Sequence, residues 1–149
     1  MVEIKTILFP VDFTEASEKV ARYARFFAEK FGAKLLVLYV VEDLMKYAGF
    51  YVPHAALEKM EKDLFEGAQK RMGEFVEQNF SNMEVEPLVS SGEVAEKICE
   101  MAREKGADLI IMGTHGRKGL EKALFGSVAE KVVKTAPCPV LTINPFQKS

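Results

Sequence analysis

Residues 94–112 read Val-Ala-Glu-Lys-Ile-Cys-Glu-Met-Ala-Arg-Glu-Lys-Gly-Ala-Asp-Leu-Ile-Ile-Met, and this stretch decides the fold class. Its first half places apolar residues three or four positions apart, which predicts a helix with one buried stripe. Gly106 suits the left-handed position that ends such a helix. Residues 108–112 then form a short apolar run, which is typical of a strand covered on both faces. A helix that leads straight into a buried strand is part of a parallel βαβ unit.

The same alternation extends in both directions along the chain. Further strands are predicted at residues 5–11, 34–41, 85–89 and 140–143, and helical stripes are predicted between them. The order β-α-β-α-β-α-β-α-β predicts an α/β fold with a parallel sheet and helices on both faces. Ligands of such sheets bind beyond the carboxyl ends of the strands, where the winding direction reverses.

Local signals predict where the helices begin and end. Thr14 is a good cap for the first helix, whose apolar stripe extends to Phe31 and is followed by Gly32. Ser90 and Glu93 are three residues apart, which is typical of a capping box at the start of the third helix.

Composition narrows the class of protein. The chain has 149 residues, 48% of them hydrophobic, with 20 basic and 22 acidic side chains and a net charge of −2. These values predict one globular domain over residues 1–149 and argue against a nucleic-acid binder. No apolar run approaches the length of a membrane span, and residues 1–5 lack the pattern of a signal peptide. Cys99 and Cys138 have no metal-binding spacing, so we expect a reduced, cytoplasmic protein.

The stretch after the fourth strand carries the strongest chemical signal. It reads Gly113-Thr114-His115-Gly116-Arg117-Lys118-Gly119-Leu120-Glu121-Lys122-Ala123-Leu124-Phe125-Gly126-Ser127. The glycines allow close approach of a ligand, and Gly126-Ser127 opens a helix whose free N–H groups attract anions. Arg117 and Lys118 add positive charge, so phosphate fits this loop. The alternative is a glycine-rich turn that serves folding alone, with both cations solvated.

Other phosphate-binding motifs are absent from the sequence. No Gly-x-x-x-x-Gly-Lys-Ser/Thr motif occurs, and the first strand leads into Pro10-Val11-Asp12 instead of Gly-x-Gly-x-x-Gly. Ser90-Ser91-Gly92 stands where a response-regulator receiver would carry its phospho-acceptor aspartate.

Three separated motifs together resemble the ATP-binding branch of the universal stress protein family. They are Gly113-x₂-Gly116-x₉-Gly126-Ser127, Pro10-Val11-Asp12 and Pro137-Cys138-Pro139-Val140, and the resemblance covers essentially the whole chain. It implies an open, twisted sheet of order 3-2-1-4-5, in a Rossmann-like, adenine-nucleotide alpha-hydrolase-like fold. It also implies a cytoplasmic homodimer that pairs through the edge strand Val140–Ile143.

The resemblance also implies a binding role for individual residues. Asp12 would hold the adenine–ribose end, beside a pocket that Pro10 and Val11 line, and the Val40 backbone would meet adenine. Met112 and Gly113 would border the ribose and the α-phosphate. The phosphates would be enclosed by Gly116, Arg117, Gly126, Ser127 and Val128, with His115 lining the same loop. The ligand would be ATP, with ADP or AMP as alternatives, and Mg²⁺ or Mn²⁺ would bind through the phosphates.

Several of these residues have a plainer interpretation. Asp12 could be an exposed acid on the side of the helix, and His115 could face solvent or act in catalysis. Residues 44–53 place large apolar side chains in a predicted loop, which could be a lid, a partner surface or packing for the long helix.

Three functions remain open at this point. The first is a nucleotide-binding regulatory or stress-response switch, for which we assign no catalytic residue. The second is a slow ATP hydrolase, and the third is a nucleotide-independent interaction module that binds an unknown protein partner through residues 42–53.

Overall fold

Five strands alternate with four helices in the computed structural model, which describes residues 1–44, 52–115 and 125–147. The strands are β1 (Thr6–Pro10), β2 (Lys34–Glu42), β3 (Val85–Gly92), β4 (Leu109–Gly113) and β5 (Val140–Ile143). The helices are α1 (Glu15–Phe31), α2 (His54–Asn79), α3 (Val94–Glu104) and α4 (Ser127–Thr135). The predicted order of elements is confirmed.

All four neighbouring strand pairs are parallel, and the strand order is β3-β2-β1-β4-β5. The chain therefore winds outward from β1 to β3 and then crosses back to β4 on the other side of β1. This order and the Rossmann-like fold confirm what the resemblance implied. The reversal leaves a crevice beyond the carboxyl ends of β1 and β4.

Each face of the sheet carries its own hydrophobic core. Ile7 and Phe9 of β1 pack with residues of α1 and α2, whereas Leu8 packs with residues of α3 and α4. This alternation follows from the two-residue period of a strand. These three side chains are fully buried because helices cover both faces. Phe9 also meets the rings of Phe75 and Phe80, with centroids 6.4 and 6.2 Å away.

The start of α3 differs from the prediction. Ser90 does not cap the helix because β3 continues through Gly92, and Ser90 pairs in register with Val40 of the nine-residue β2. The cap is Glu93, whose carboxylate accepts a hydrogen bond of 2.7 Å from the Glu96 N–H. The capping box is therefore wrong, and the helix begins later than predicted.

The first helix also differs in detail. Thr14 stands at the cap position, but its side chain makes no capping bond, and Gly32 follows the helix in the left-handed conformation with φ 62°. The buried face of α1 consists of small residues (Ser17, Val20, Ala21, Ala24 and Ala28). Phe31 lies off this face with 47% of its surface exposed, so its placement on the buried stripe is wrong.

The longest helix, α2, has 26 residues and buries four side chains along one face, namely Leu57, Ala68, Met72 and Phe75. Its other faces are largely exposed and carry many charges. Within the ranges that the structure describes, neither α2 nor any other helix combines the length and apolarity needed to cross a bilayer.

Candidate functional site

A cavity of about 680 Å³ opens at the carboxyl ends of β1, β2 and β4. It lies where the direction of winding reverses, which is the place where open parallel sheets bind ligands. Its volume lies within the range of roughly 300–1,000 Å³ that is usual for small-molecule sites.

Ten of the twelve predicted binding residues line this cavity. They are Pro10, Val11, Asp12, Val40, Met112, Gly113, His115, Gly126, Ser127 and Val128. The other two, Gly116 and Arg117, lie outside the described residues, as do Lys118 and most of the segment 42–53. Residues that are more than a hundred positions apart in sequence thus meet at one edge of the sheet.

The turn between β1 and α1 is built around the Asp12 carboxylate. Oδ1 of Asp12 accepts hydrogen bonds from the Thr14 N–H, the Thr14 hydroxyl and the Ser17 hydroxyl. The Asp12 N–H in turn donates to the Ser17 hydroxyl over 2.9 Å. Asp12 is half-buried, so it is not an exposed acid on the side of the helix.

Phe13 has a left-handed backbone, with φ 64°, in the same turn. This conformation is unfavourable for a bulky side chain and is found most often at functional sites. Two aromatic contacts hold the ring: it stacks on Tyr39 at a centroid distance of 4.4 Å and meets Phe75 edge-on at 5.8 Å. The turn therefore presents Asp12 from a fixed, sterically demanding backbone.

The opposite end of the cavity is formed by β4 and the start of α4. The Thr114 N–H donates to the Ile143 carbonyl over 2.9 Å, and the Gly126 N–H donates to the Thr114 carbonyl over 2.7 Å. A methyl group on Gly126 would lie 3.3 Å from the Thr114 carbonyl oxygen. Glycine is favoured here because two backbone segments approach closely, and not because φ is positive. This contact points the N-terminus of α4 into the cavity.

His115 is buried, with 5% of its surface exposed, so it does not face solvent. Its Nδ1 lies 2.8 Å from the Thr114 hydroxyl, and its ring centroid lies 5.3 Å from that of Phe146. These contacts fix the imidazole at the edge of the cavity beside α4.

Helix α2 supplies a wall of the cavity that the motifs did not predict. The cavity is lined on this side by Asp63, Leu64, Gly67, Ala68 and Arg71. Asp63, Gly67 and Arg71 follow one another at intervals of four residues, which places them on one helix face. This spacing is the sequence signal for the wall, and none of the three motifs contains it.

The charges around the cavity are asymmetric. Among the described residues that line it, the acids Asp12, Glu42 and Asp63 lie at the ends of β1 and β2 and on α2, and the cation Arg71 also lies on α2. Among the described residues, no acid lines the end formed by Gly113–His115 and Gly126–Ala129. Glu130 in the first turn of α4 pairs with Lys134 and does not line the cavity. The described lining therefore suits an anion at this end and hydroxyl or amino groups at the other.

No group of three or more His, Cys, Asp or Glu side chains in residues 1–44, 52–115 and 125–147 is arranged to hold a metal ion.

The chain is similar to proteins of one family over nearly its whole length. The model of the universal stress protein family matches residues 3–144. Universal stress protein MJ0531 of Methanocaldococcus jannaschii is 36% identical over 146 residues, which are 97% of this chain and 84% of that protein. The match spans every element of the fold.

Solved structures that resemble this chain include members of the same family. The structure of MJ0577, a universal stress protein of the same organism, superposes with a TM-score of 0.84 at 28% identity and covers 99% of this chain and 100% of that chain. The universal stress protein of Archaeoglobus fulgidus in complex with dAMP has a TM-score of 0.56 at 23% identity and covers 97% and 100%, which shows the shared fold alone. On the family model and the relatives together, the chain belongs to the universal stress protein family.

Proposed function

We propose that this protein binds ATP, or another adenine nucleotide, and acts as a cytoplasmic regulatory switch in a stress response. The observation that carries the proposal is the N-terminus of α4, which opens into a cavity at the point where the sheet reverses. Helix N-termini at this place in α/β folds bind phosphate groups. The dAMP complex of the Archaeoglobus fulgidus protein places an adenine nucleotide on the same fold.

The asymmetry of charge supports one orientation of the nucleotide. The phosphates would lie at Gly113, Gly126, Ser127 and Val128, where N–H groups and the Ser127 hydroxyl can donate to phosphate oxygens. The nucleoside would lie at the other end, among apolar side chains and three carboxylates. Carboxylates accept hydrogen bonds from ribose hydroxyls and from the adenine amino group, but they repel phosphate.

With the nucleotide in this orientation, a divalent cation would bind to the phosphates and not directly to the protein. The phosphate end offers hydroxyl groups and N–H groups but no acidic side chain among its described lining residues. We therefore expect Mg²⁺ or Mn²⁺ to bind through phosphate oxygens, with the protein holding the nucleotide and not the metal.

The binding proposal is tested by unfolding the protein in urea with and without ATP. A ligand that binds only the folded state stabilises it by about 2.7 kcal/mol at a concentration of 100 times Kd. Gly126→Val should abolish this stabilisation because a branched side chain would crowd the Thr114 carbonyl, which even a methyl group would approach to 3.3 Å, and would displace the N-terminus of α4. Gly73→Val is the matched control, because Gly73 is exposed on α2 and does not line the cavity. Wild-type protein that gains no stability from ATP would refute the proposal.

The switch role predicts that bound ATP stays intact. Mass analysis of the ligand released on denaturation, after hours of incubation with ATP and Mg²⁺, should recover ATP. Steady conversion to ADP that is lost in Gly126→Val would show instead that the protein is a slow ATP hydrolase.

We also propose that the protein forms a homodimer through β5. This strand is at the edge of the sheet, and an unpaired edge presents N–H and C=O groups that a second copy can satisfy. Which protein partner the switch contacts is a separate question, for which residues 42–53 are the candidate surface.

A further inference from the structure

One face of α2 has a chemical character that its role as a core helix does not explain. Asp63, Gly67 and Arg71 stand one above another on this face, all three are exposed, and all three line the cavity. The buried face of α2 carries different residues, ending in Ala68, Met72 and Phe75. The helix therefore packs on the sheet with one side and borders the cavity with another.

Gly67 is the unusual member of this face. A glycine inside a helix is less stable than alanine by about 1 kcal/mol. Its φ is not positive, and a methyl group there would meet no atom within 4 Å in the part of the chain that the structure describes. Neither backbone conformation nor packing thus requires glycine at this position. The physical effect of the missing side chain is to leave space at the cavity wall.

Gly73 provides an internal comparison. It lies in the same helix, is equally exposed, and a methyl group there would also meet no neighbouring atom. It is absent from the residues that line the cavity. At both glycines of α2 an added methyl group would therefore meet no described atom, but only Gly67 lines the cavity.

Arg71 gives the same wall a fixed cation. Its guanidinium carbon lies 4.9 Å from the centroid of the Phe13 ring, in the geometry of a cation–π contact. Phe13 is itself stacked on Tyr39 and belongs to the turn that holds Asp12. The α2 wall is thereby tied to the end of the cavity that carries the carboxylates, opposite the N-terminus of α4.

We propose that α2 forms the outer wall of the nucleoside end of the site, and that Gly67 determines how large a group this end accepts. This inference rests on the proposed nucleotide-binding function. It assigns a specificity role to a helix outside the glycine motif and outside the β1 motif.

The test is calorimetric titration of wild type, Gly67→Leu and Gly73→Leu with ATP. We expect Gly67→Leu to bind ATP about tenfold or more weakly, because the leucine side chain would take up space that the nucleoside needs. Gly73→Leu should bind as wild type does. Both positions are exposed, so both variants should fold, and their melting temperatures verify this. Gly67→Ala, a smaller change, should fall between wild type and Gly67→Leu.

The possible outcomes distinguish a failure of this inference from a failure of the proposed nucleotide-binding function. If wild type and Gly67→Leu bind ATP equally well, α2 is not a wall of the site and this inference is overturned, while the proposed function stands. Equal losses in Gly67→Leu and Gly73→Leu would overturn it as well, because the effect would then come from the helix as a whole. If wild type itself binds no ATP, the proposed function fails first.

Discussion

Asp12 shows at the scale of one residue how a site side chain also supports the fold. Its Oδ1 accepts three hydrogen bonds that turn the chain from β1 into α1, and two of the donors belong to Thr14. The sequence motif predicts Asp12 as a ligand contact, and the structure also makes its carboxylate the centre of the turn before α1. Thr14 keeps the cap position, but its hydroxyl donates to Asp12 and makes no capping bond to the helix.

Asp12→Ala should lower the free energy of unfolding by about 1 kcal/mol or more, because the hydrogen bonds that its carboxylate accepts in the turn are lost. Asp12→Asn should recover most of this loss, since an amide oxygen can accept the same bonds. Urea denaturation of the three proteins without nucleotide measures both changes. Equal destabilisation in the Ala and Asn variants would contradict the role of the Asp12 oxygen in holding this turn.

The contact between Arg71 and Phe13 could not be predicted from the sequence. The two residues are 58 positions apart, and nothing in the local pattern of α2 links them. The left-handed backbone of Phe13 could not be predicted either, because phenylalanine rarely adopts that conformation. By contrast, the positions of Gly113 and Gly126 in the site follow from the motif itself.

At the scale of an element, α3 depends on Glu93 at its start. Partial burial alone raises the pKa of Glu93, but hydrogen bonds from the Glu96 N–H and the Lys131 ammonium outweigh it, so the pKa lies below its ordinary value of 4.5. Because the pKa of Glu93 is lowered by folding, its carboxylate stabilises the folded protein at pH values above the ordinary pKa. This stabilisation is lost as the pH falls through the lowered pKa of the folded protein.

The free energy of unfolding of wild type should therefore exceed that of Glu93→Gln by no more than about 1 kcal/mol near neutral pH. The difference should shrink as the pH falls from about 5 to about 3, since the wild-type carboxylate becomes protonated. Urea denaturation of both proteins at several pH values measures it. A difference that stays constant or grows towards low pH would contradict the assigned role of Glu93.

Element types could be predicted from periodicity, but only some of the element ends could. All five strands and four helices follow from runs and stripes of apolar residues. The end of β3 does not, because Ser90, Ser91 and Gly92 form a polar sequence that suits a loop. They extend the strand only because the long neighbour β2 offers partners up to Glu42. That pairing is a long-range effect.

At the scale of the whole molecule, alternation of strands and helices predicts a parallel sheet but leaves the strand order open. The order came from the resemblance to a known family, and the sheet confirms it. Once the order is known, the general rule for open α/β sheets places the cavity at the reversal beside β1. The α2 wall follows from the order too, but it was not predicted because no motif falls on that helix.

The edge of the sheet gives a prediction about assembly. The Pro139 and Ile143 carbonyls accept bonds from the N–H groups of Ile110 in β4 and of Thr114 just after it. By alternation, the backbone groups of Val140 and Thr142 point towards the open edge. Thr142→Pro removes an N–H on the outer side only. We expect it to fold and to sediment as a monomer at micromolar concentration, whereas wild type sediments as a dimer. A wild-type monomer under these conditions would refute pairing through β5.

Binding of ATP to the purified, nucleotide-free protein tests the central claim most directly. Equilibrium dialysis with labelled ATP and Mg²⁺ should show saturable binding of one nucleotide per chain, and Gly126→Val should reduce it to background. Absence of saturable binding by folded wild-type protein at millimolar ATP would contradict the account.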